Sequence, residues 1–197
     1  MKVLVIPEDF RKDQYMLKPV VEAMLQHLGY RARVRVCQDP LLGGVSQALR
    51  WHNIQNILRR YPMVDLFLLC VDRDGETSRR EKLNYLERQA AEELACGGKA
   101  RWFLAENAWQ EIEVWVLAGM QDLPNDWSWQ DIRAEVHPKE TFFTPYVLKR
   151  EKQDSPGGGR KSLGLMAGKN YKRIRDLCDE VAVLESRLEG LSKPNVS

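Results

Sequence analysis

The chain has 197 residues, 44% hydrophobic and 29% charged, with a formal net charge of +2, values typical of one globular domain. No apolar stretch approaches the ~18–20 residues that a membrane helix needs, and the first residues lack the longer apolar run of a signal peptide. We therefore expect a cytoplasmic protein. The four cysteines have no CxxC spacing and are expected to be buried free thiols; they are Cys37, Cys70, Cys96 and Cys178.

Predicted strands and helices alternate along the first 120 residues. Strands are predicted at 2–6, 33–37, 64–71 and 102–105, the third being the most apolar and therefore central. The helices between and after them cover 17–28, a segment ending near Arg60, 83–94 before Gly97-Gly98, and 108–120. This alternation favours an α/β fold with a mostly parallel, Rossmann-like sheet of about four strands, flanked by helices and joined by right-handed crossovers.

Beyond residue 121 the pattern changes to loops rich in proline and glycine. We expect residues 1–121 to form the α/β core and residues 122–197 to form a helical and loop extension packed on it, as parts of one structural domain. Two short helical pieces should precede a longer closing helix with an apolar face from Tyr171 to Leu188. The glycine-rich stretch 155–161 is interpreted as a mobile linker.

The positive charge is concentrated in this extension. Residues 146–175 contain nine basic and two acidic residues, a local charge of +7, so the rest of the chain is acidic. A basic segment of this kind is suited to neutralising the phosphates of a nucleic acid. A solvated, flexible loop explains the same charges. The candidate nucleic-acid contacts are Lys149, Arg150, Arg160, Lys161, Lys169 and Lys172.

Acidic side chains follow two of the predicted strands. Glu8 comes after the first strand, and Asp72 and Asp74 come after the third. Ligands of an open parallel sheet bind outside the carboxyl ends of its strands, so these carboxylates are expected to converge. Oxygen ligands of this kind suit Mg²⁺ or Mn²⁺ better than zinc. Alternatively, Asp74 lies in a polar turn and caps the helix that follows it. In the first loop, we assign the capping of the first helix to Asp13.

The predicted helix 108–120 is apolar nearly all round and is expected to be buried. Glu113 within it needs a partner, which could be a metal ion, an arginine or a backbone amide, because an unpaired buried charge is costly. Glu111 is an alternative candidate, but it lies on roughly the opposite helical face. Glu106, at the carboxyl end of the fourth strand, is a further one.

These motifs, taken in order, have a counterpart in a known group. Glu8, the Asp-x-Asp pair at 72–74, the segment 112–118, Pro138-Lys139-Glu140 and the stretch 170–174 together resemble the Toprim fold. The similarity is to its DUF4276-like branch, near the RloB-like and OLD-type nucleases. One departure concerns the first acid, which in this family is typically followed by glycine. Here Asp9 follows Glu8 and Pro7 precedes it, which leaves the aim of Glu8 open and is compatible with a degenerate site.

The resemblance implies a metal-dependent nuclease that hydrolyses phosphodiester bonds with Mg²⁺ or Mn²⁺. Asp72 and Asp74 would hold one or two metal ions, Glu8 would be a ligand or general base, and Glu113 would be an additional ligand. Lys139 or Lys161 would neutralise charge that develops on the phosphate.

The family context also implies a role in defence against phage or mobile DNA, often beside an ATPase partner. A homo-oligomer is compatible with the sequence, and DNA and RNA stay open as substrates. The contrasting hypothesis is a non-catalytic subunit that binds nucleic acid or supports an assembly while its Toprim site has decayed. A small-nucleotide sensor is a third hypothesis.

Overall fold

The structure, a computed structural model, describes residues 1–95 and 98–191. Its centre is a four-stranded sheet with the strand order β2-β1-β3-β4, in which every neighbouring pair is parallel. The predicted α/β fold with a parallel sheet is therefore confirmed. The strands are β1 (Lys2–Pro7), β2 (Arg33–Val36), β3 (Leu66–Asp72) and β4 (Trp102–Ala108). β3 lies in the interior of the sheet and is buried from Leu66 to Val71, as its continuous apolar run predicts.

Helices cover both faces of the sheet, and a separate hydrophobic cluster forms beneath each layer. One layer contains α2 (Val45–Ala48), α3 (Trp51–Arg60) and α4 (Arg79–Ala95). The opposite layer begins with α1 (Phe10–His27) and is completed by the C-terminal half of the chain. That half contributes α5 (Glu113–Ala118), α6 (Trp129–Ala134), a π-helical turn (Lys139–Phe143), α7 (Thr144–Lys149), α8 (Arg160–Lys169), α9 (Tyr171–Leu177) and α10 (Asp179–Glu189).

Close packing between α1 and α8 ties the C-terminal half to the first helix. A Cβ atom at Gly164 would lie 2.1 Å from the carbonyl oxygen of Tyr15, and one at Gly168 would lie 2.9 Å from that of Pro19. Only glycine lets the two backbones approach this closely. The extension is therefore one layer of the core, since its side chains share a hydrophobic cluster with β1 and β3.

Three predicted elements differ from the structure. The helix predicted at 108–120 is wrong over its first turn, because β4 continues to Ala108 and α5 begins only at Glu113. The closing helix is divided at Cys178 into α9 and α10. The linker predicted at 155–161 is packed, with Gly157 against the Tyr15 ring and Gly159 (φ +87°) at the start of α8.

Cys37, Cys70 and Cys178 are buried free thiols, as predicted. Cys96, and Gly97 in the predicted helix stop, lie outside the described residues. Across residues 1–95 and 98–191, no helix is both long enough and apolar enough to cross a membrane.

Candidate functional site

The carboxyl ends of β1 and β3 bring Glu8 and Asp72 together. The two strands are neighbours in the sheet, and Pro7 lies opposite Cys70 in their register. Just beyond these residues, the backbone N–H of Asp72 donates a hydrogen bond to Oε2 of Glu8 (3.2 Å). Residues 64 positions apart are thus in contact at the edge where an open parallel sheet binds its ligands.

Both carboxyl groups lie in surroundings that disfavour their negative charge. Burial raises the pKa of Glu8 from its ordinary value of 4.5 to about 7, and the charges of Asp74 and Glu113 act in the same direction. Burial also raises the pKa of Asp72 well above its ordinary range, with further contributions from Glu8 and Glu113. The edge is therefore stabilised by a proton or by a cation.

Asp13 is a third buried acid at this edge, which sequence analysis placed at a helix cap. The N-cap of α1 is Asp9, whose side chain accepts a hydrogen bond from the N–H of Arg11. Asp13 is only 8% exposed and accepts a hydrogen bond from the backbone N–H of Asp9 (3.0 Å). Burial, together with the charges of Glu113 and Glu8, raises its pKa to about 7. Its position four residues before Leu17, on the apolar face of the helix, was the available signal.

The loop after β4 fixes the loop after β3. The N–H of Ile112 donates to Oδ1 of Asp72 (2.8 Å), and the carbonyl of Gln110 accepts from the N–H groups of Arg73 (2.7 Å) and Asp74 (3.1 Å). The Gln110 side chain accepts a further bond from the N–H of Gly75 (2.9 Å). Gln110 itself is buried at φ +69°, an uncommon conformation for a residue with a side chain. Sequence analysis missed Gln110 because no sequence pattern predicts a positive φ at a glutamine.

Asp74 differs from Asp72 in its surroundings. Its backbone has φ +51°, its side chain is 47% exposed, and the nearest guanidinium nitrogen, on Arg79, lies 3.5 Å away. The alternation of the extended strand ends at Asp72, so it does not orient Asp74, but the charge of Asp74 contributes to the raised pKa of Glu8. The alternative in which Asp74 caps the next helix is also wrong, because α4 begins at Arg79.

Glu113 has an arginine as its partner. It is 4% exposed, Arg160 is 8% exposed, and both Nε (3.2 Å) and Nη2 of Arg160 donate to its Oε1. This ion pair settles which of the three predicted partners occurs in the structure. It also removes Arg160 from the exposed basic edge, because its guanidinium lies in the interior beside the acids.

Lys139 lies on the π-helical turn near the same acids. Its backbone N–H donates to Oε2 of Glu111 (2.7 Å), and its ammonium group pairs with Glu140 (3.0 Å). Insertions of this type in helices are frequent at functional sites. Glu106 lies within β4 instead of at its end, and it pairs with Arg80 (2.9 Å) on the neighbouring helix.

The basic residues of the extension lie on helices, so the flexible-loop alternative is not supported for them. Lys149, Lys161, Lys169 and Lys172 are exposed on α7, α8 and α9. Arg150 instead pairs with Asp122 over the ring of Tyr146. An exposed row of lysines is compatible with phosphate contacts and with simple solvation.

The fit to a metal ion depends on how many protein ligands the ion requires. Among the described residues, no group of three or more histidine, cysteine, aspartate or glutamate side chains is arranged to hold a metal. Mg²⁺, however, usually keeps several waters and is bound through one or two carboxylates plus substrate phosphates. Glu8 and Asp72 meet that requirement, and a cleft of about 520 Å³ opens beside Glu8 between the β1–α1 loop and residues 41–44.

Comparisons of this chain with protein-family models, with curated proteins and with solved structures found no match. The similarity to the Toprim fold therefore stays a prediction based on motifs.

Proposed function

We propose that this protein hydrolyses phosphodiester bonds in nucleic acid with Mg²⁺ or Mn²⁺ bound at Glu8 and Asp72. The observation that supports this proposal most is the hydrogen bond from the Asp72 N–H to Glu8, which joins two carboxylates from distant strand ends at the ligand-binding edge. Their raised pKa values result first from burial and then from the charges of neighbouring carboxylates, so the site favours a proton or a cation. Perturbed groups of this kind cluster at functional sites.

Each acid has a role that follows from its contacts. Ile112 fixes one oxygen of Asp72, and the other accepts no hydrogen bond from the described residues, so it is available to a ligand. Glu8 is ionised for part of its population near pH 7, which suits a ligand or a general base that accepts a proton from water. Asp74 is half exposed beside Arg79, and its charge acts on Glu8, so it would be an additional ligand. When bound, the metal ion would supply a lowered water pKa and charge neutralisation on the phosphate.

Two cations on the C-terminal half of the chain, Arg160 and Lys139, are suited to the substrate. Arg160 lies against Glu113, and Lys139 lies close enough for Glu111 and Glu113 to contribute to its raised pKa, after the larger effect of its Glu140 partner. A fixed guanidinium at such a place stabilises charge that develops on a phosphate. Glu113 is therefore better assigned to orienting Arg160 than to binding the metal directly.

The alternative is a subunit that binds nucleic acid through a decayed Toprim site. It is favoured by the Arg160–Glu113 ion pair, which already neutralises one of the predicted metal ligands. Protons on Glu8 and Asp72 would neutralise the others. The predicted role in defence and the ATPase partner stay predictions of the resemblance, because no contact in the structure bears on them.

The test is cleavage of plasmid DNA, single-stranded DNA and RNA at pH 8 with Mg²⁺, with Mn²⁺ and with EDTA. We expect metal-dependent cleavage by the wild type and a loss of at least 100-fold in Asp72→Asn and Glu8→Gln. The matched control is Glu22→Gln, which removes one carboxylate from the exposed face of α1. Binding without cleavage of any substrate, at several metal concentrations, would refute the proposal and support the subunit.

A further inference from the structure

A second cleft, of about 710 Å³, lies beside the acidic edge between the loops that follow β3 and β4. Helices α6 and α10 form its other wall. Its lining includes four arginines and an exposed aromatic ring, none of which the proposed hydrolysis uses. These residues are Arg73, Arg79, Arg80, Arg133 and Trp109.

Trp109 presents its ring to this cleft while its edge is fixed. The side chain is among the exposed large hydrophobic groups, at 39% exposure. Its Nε1–H donates to the carbonyl of Arg133 (2.8 Å), and its backbone N–H donates to Glu180 (2.9 Å). The Arg73 guanidinium lies over this ring, 3.9 Å from its centre, and the Arg133 guanidinium lies 5.3 Å from the same centre. The fixed indole and the guanidinium stacked on it form a rigid, flat platform on which a base can stack.

Two of the arginines lie on the side of the cleft nearest the acids. The Arg73 guanidinium lies 3.9 Å from the centre of the Trp109 ring, and no carboxylate pairs with it in the part of the chain that the structure describes. Arg79 is 6% exposed, and its Nη2 donates to the carbonyl of Arg73 (3.1 Å) and lies 3.5 Å from Asp74. Arg79 therefore adds positive charge beside Arg73, while the Arg73 guanidinium is the one that an anion can pair with.

The other two arginines pair with carboxylates that also line the cleft. Arg133 makes two hydrogen bonds to Glu180, at 2.8 and 2.9 Å, and Arg80 pairs with Glu106. They therefore help to build the wall of the cleft. The anion-binding capacity lies with Arg73, with the charge of Arg79 beside it.

We propose that this cleft binds one nucleotide unit of a single strand, with the base stacked on the platform formed by Trp109 and Arg73 and the phosphate held by Arg73 beside the charge of Arg79. The inference rests on the proposed function in that the bound strand is the substrate. Arg73 lies between Asp72 and Asp74 in the chain, and Arg79 is 3.5 Å from Asp74, so the strand would lead directly into the acidic edge. A duplex keeps its bases stacked inside and cannot offer one to the indole.

The experiment measures binding of a fluorescent 12-nucleotide single strand by anisotropy in EDTA, where cleavage does not interfere. We expect Arg73→Gln and Trp109→Ala each to weaken binding roughly tenfold, and Trp109→Phe to retain most of it. Arg73→Gln should also reduce the slope of log K against log salt by about 0.7. Arg88→Gln, an equal charge change at an exposed site outside the cleft, should bind as the wild type does.

The outcomes separate this inference from the proposed function. The inference would be overturned if Arg73→Gln and Trp109→Ala both bound the strand as tightly as the wild type does. It would also be overturned if Arg88→Gln weakened binding as much as they do. Both results would count even if the protein cleaves nucleic acid. Binding that depends on the cleft residues, without cleavage of the strand, would support this inference and refute the proposed hydrolysis. The single-strand assignment would be overturned if a free mononucleotide, equimolar with the 12-nucleotide strand, abolished binding of that strand. It would also be overturned if a duplex bound as tightly as the single strand and lost affinity in the same variants.

Discussion

The charge on Asp13 should make the metal-free protein less stable as the pH rises. Asp13 is buried, and its pKa is raised from an ordinary value of 3.8 to about 7. Below pH 3.8 neither the folded nor the unfolded state is ionised. Between 3.8 and about 7 the unfolded chain loses its proton while the native state keeps it, so the free energy of unfolding falls as pH rises. Above about 7 both states are ionised, and the native state carries the full penalty.

The magnitude follows from the shift. A difference of about three pH units corresponds to roughly 4 kcal/mol, of which roughly 2 kcal/mol accrues between pH 5 and pH 7. These are upper values, because Glu8 and Asp72 titrate in the same cluster. Asp13→Asn removes the ionisable group and keeps an oxygen that can accept the hydrogen bond from the Asp9 N–H.

The assay is urea unfolding of the wild type and Asp13→Asn at several pH values from 5 to 8.5, in EDTA. We expect the free energy of unfolding to fall more steeply with pH in the wild type than in Asp13→Asn, so that the variant gains stability relative to the wild type as pH rises. If the difference in free energy between the two proteins were the same at every pH, the reasoning would be refuted, since Asp13 would not be protonated in the native state.

Three further predictions concern the neighbouring contacts. Mg²⁺ should raise the Tm of the wild type more at pH 8 than at pH 5.5, because protons compete with the ion for Glu8 and Asp72. It should leave the Tm of Glu8→Gln unchanged. An equal rise in both proteins would show that the ion binds elsewhere. Glu113→Gln leaves a buried guanidinium without its counter-charge and should cost about 3 kcal/mol in urea unfolding, whereas a cost below about 1 kcal/mol would contradict a desolvated pair. Gly164→Ala should cost about 1–3 kcal/mol by the same measurement because its Cβ meets the α1 backbone. Gly43→Ala, with open space around it, is its control and should change stability little.

The sheet and the meeting of Glu8 with Asp72 could be predicted because both depend on short-range patterns. Continuous apolar runs mark strands buried on both faces, and parallel strands end at the same edge. Two acids that directly follow such runs therefore come together whatever the loops do. The hydrogen bond between them shows this convergence, although the loop containing Pro7 and Asp9 departs from the pattern that the resemblance implies.

The partners of the other acids could not be predicted, because they depend on contacts between distant segments. The mostly buried stretch 102–118 contains both β4 and α5, and periodicity alone does not separate a buried strand from a buried helix. The position of Arg160 depends on glycines of α8 packing against α1, which no local signal reveals. Sequence analysis therefore recognised that Glu113 needs a partner, but it assigned Arg160 to an exposed edge.

The hydrolase and the decayed subunit differ in what neutralises the acidic edge. Burial and mutual repulsion make one ionised carboxylate at Glu8, Asp72 or Asp13 costly, and a proton or a divalent cation relieves that cost equally well in principle. Since the pKa of Glu8 is about 7, near-neutral pH is where the two compete most evenly, so a small change in metal affinity decides between them. An edge selected only for stability would gain more from apolar side chains at these positions than from three buried acids. A proton offsets the cost of these acids without serving any reaction, whereas a divalent cation held there would also serve the proposed hydrolysis, and this is the physical reason for preferring the hydrolase.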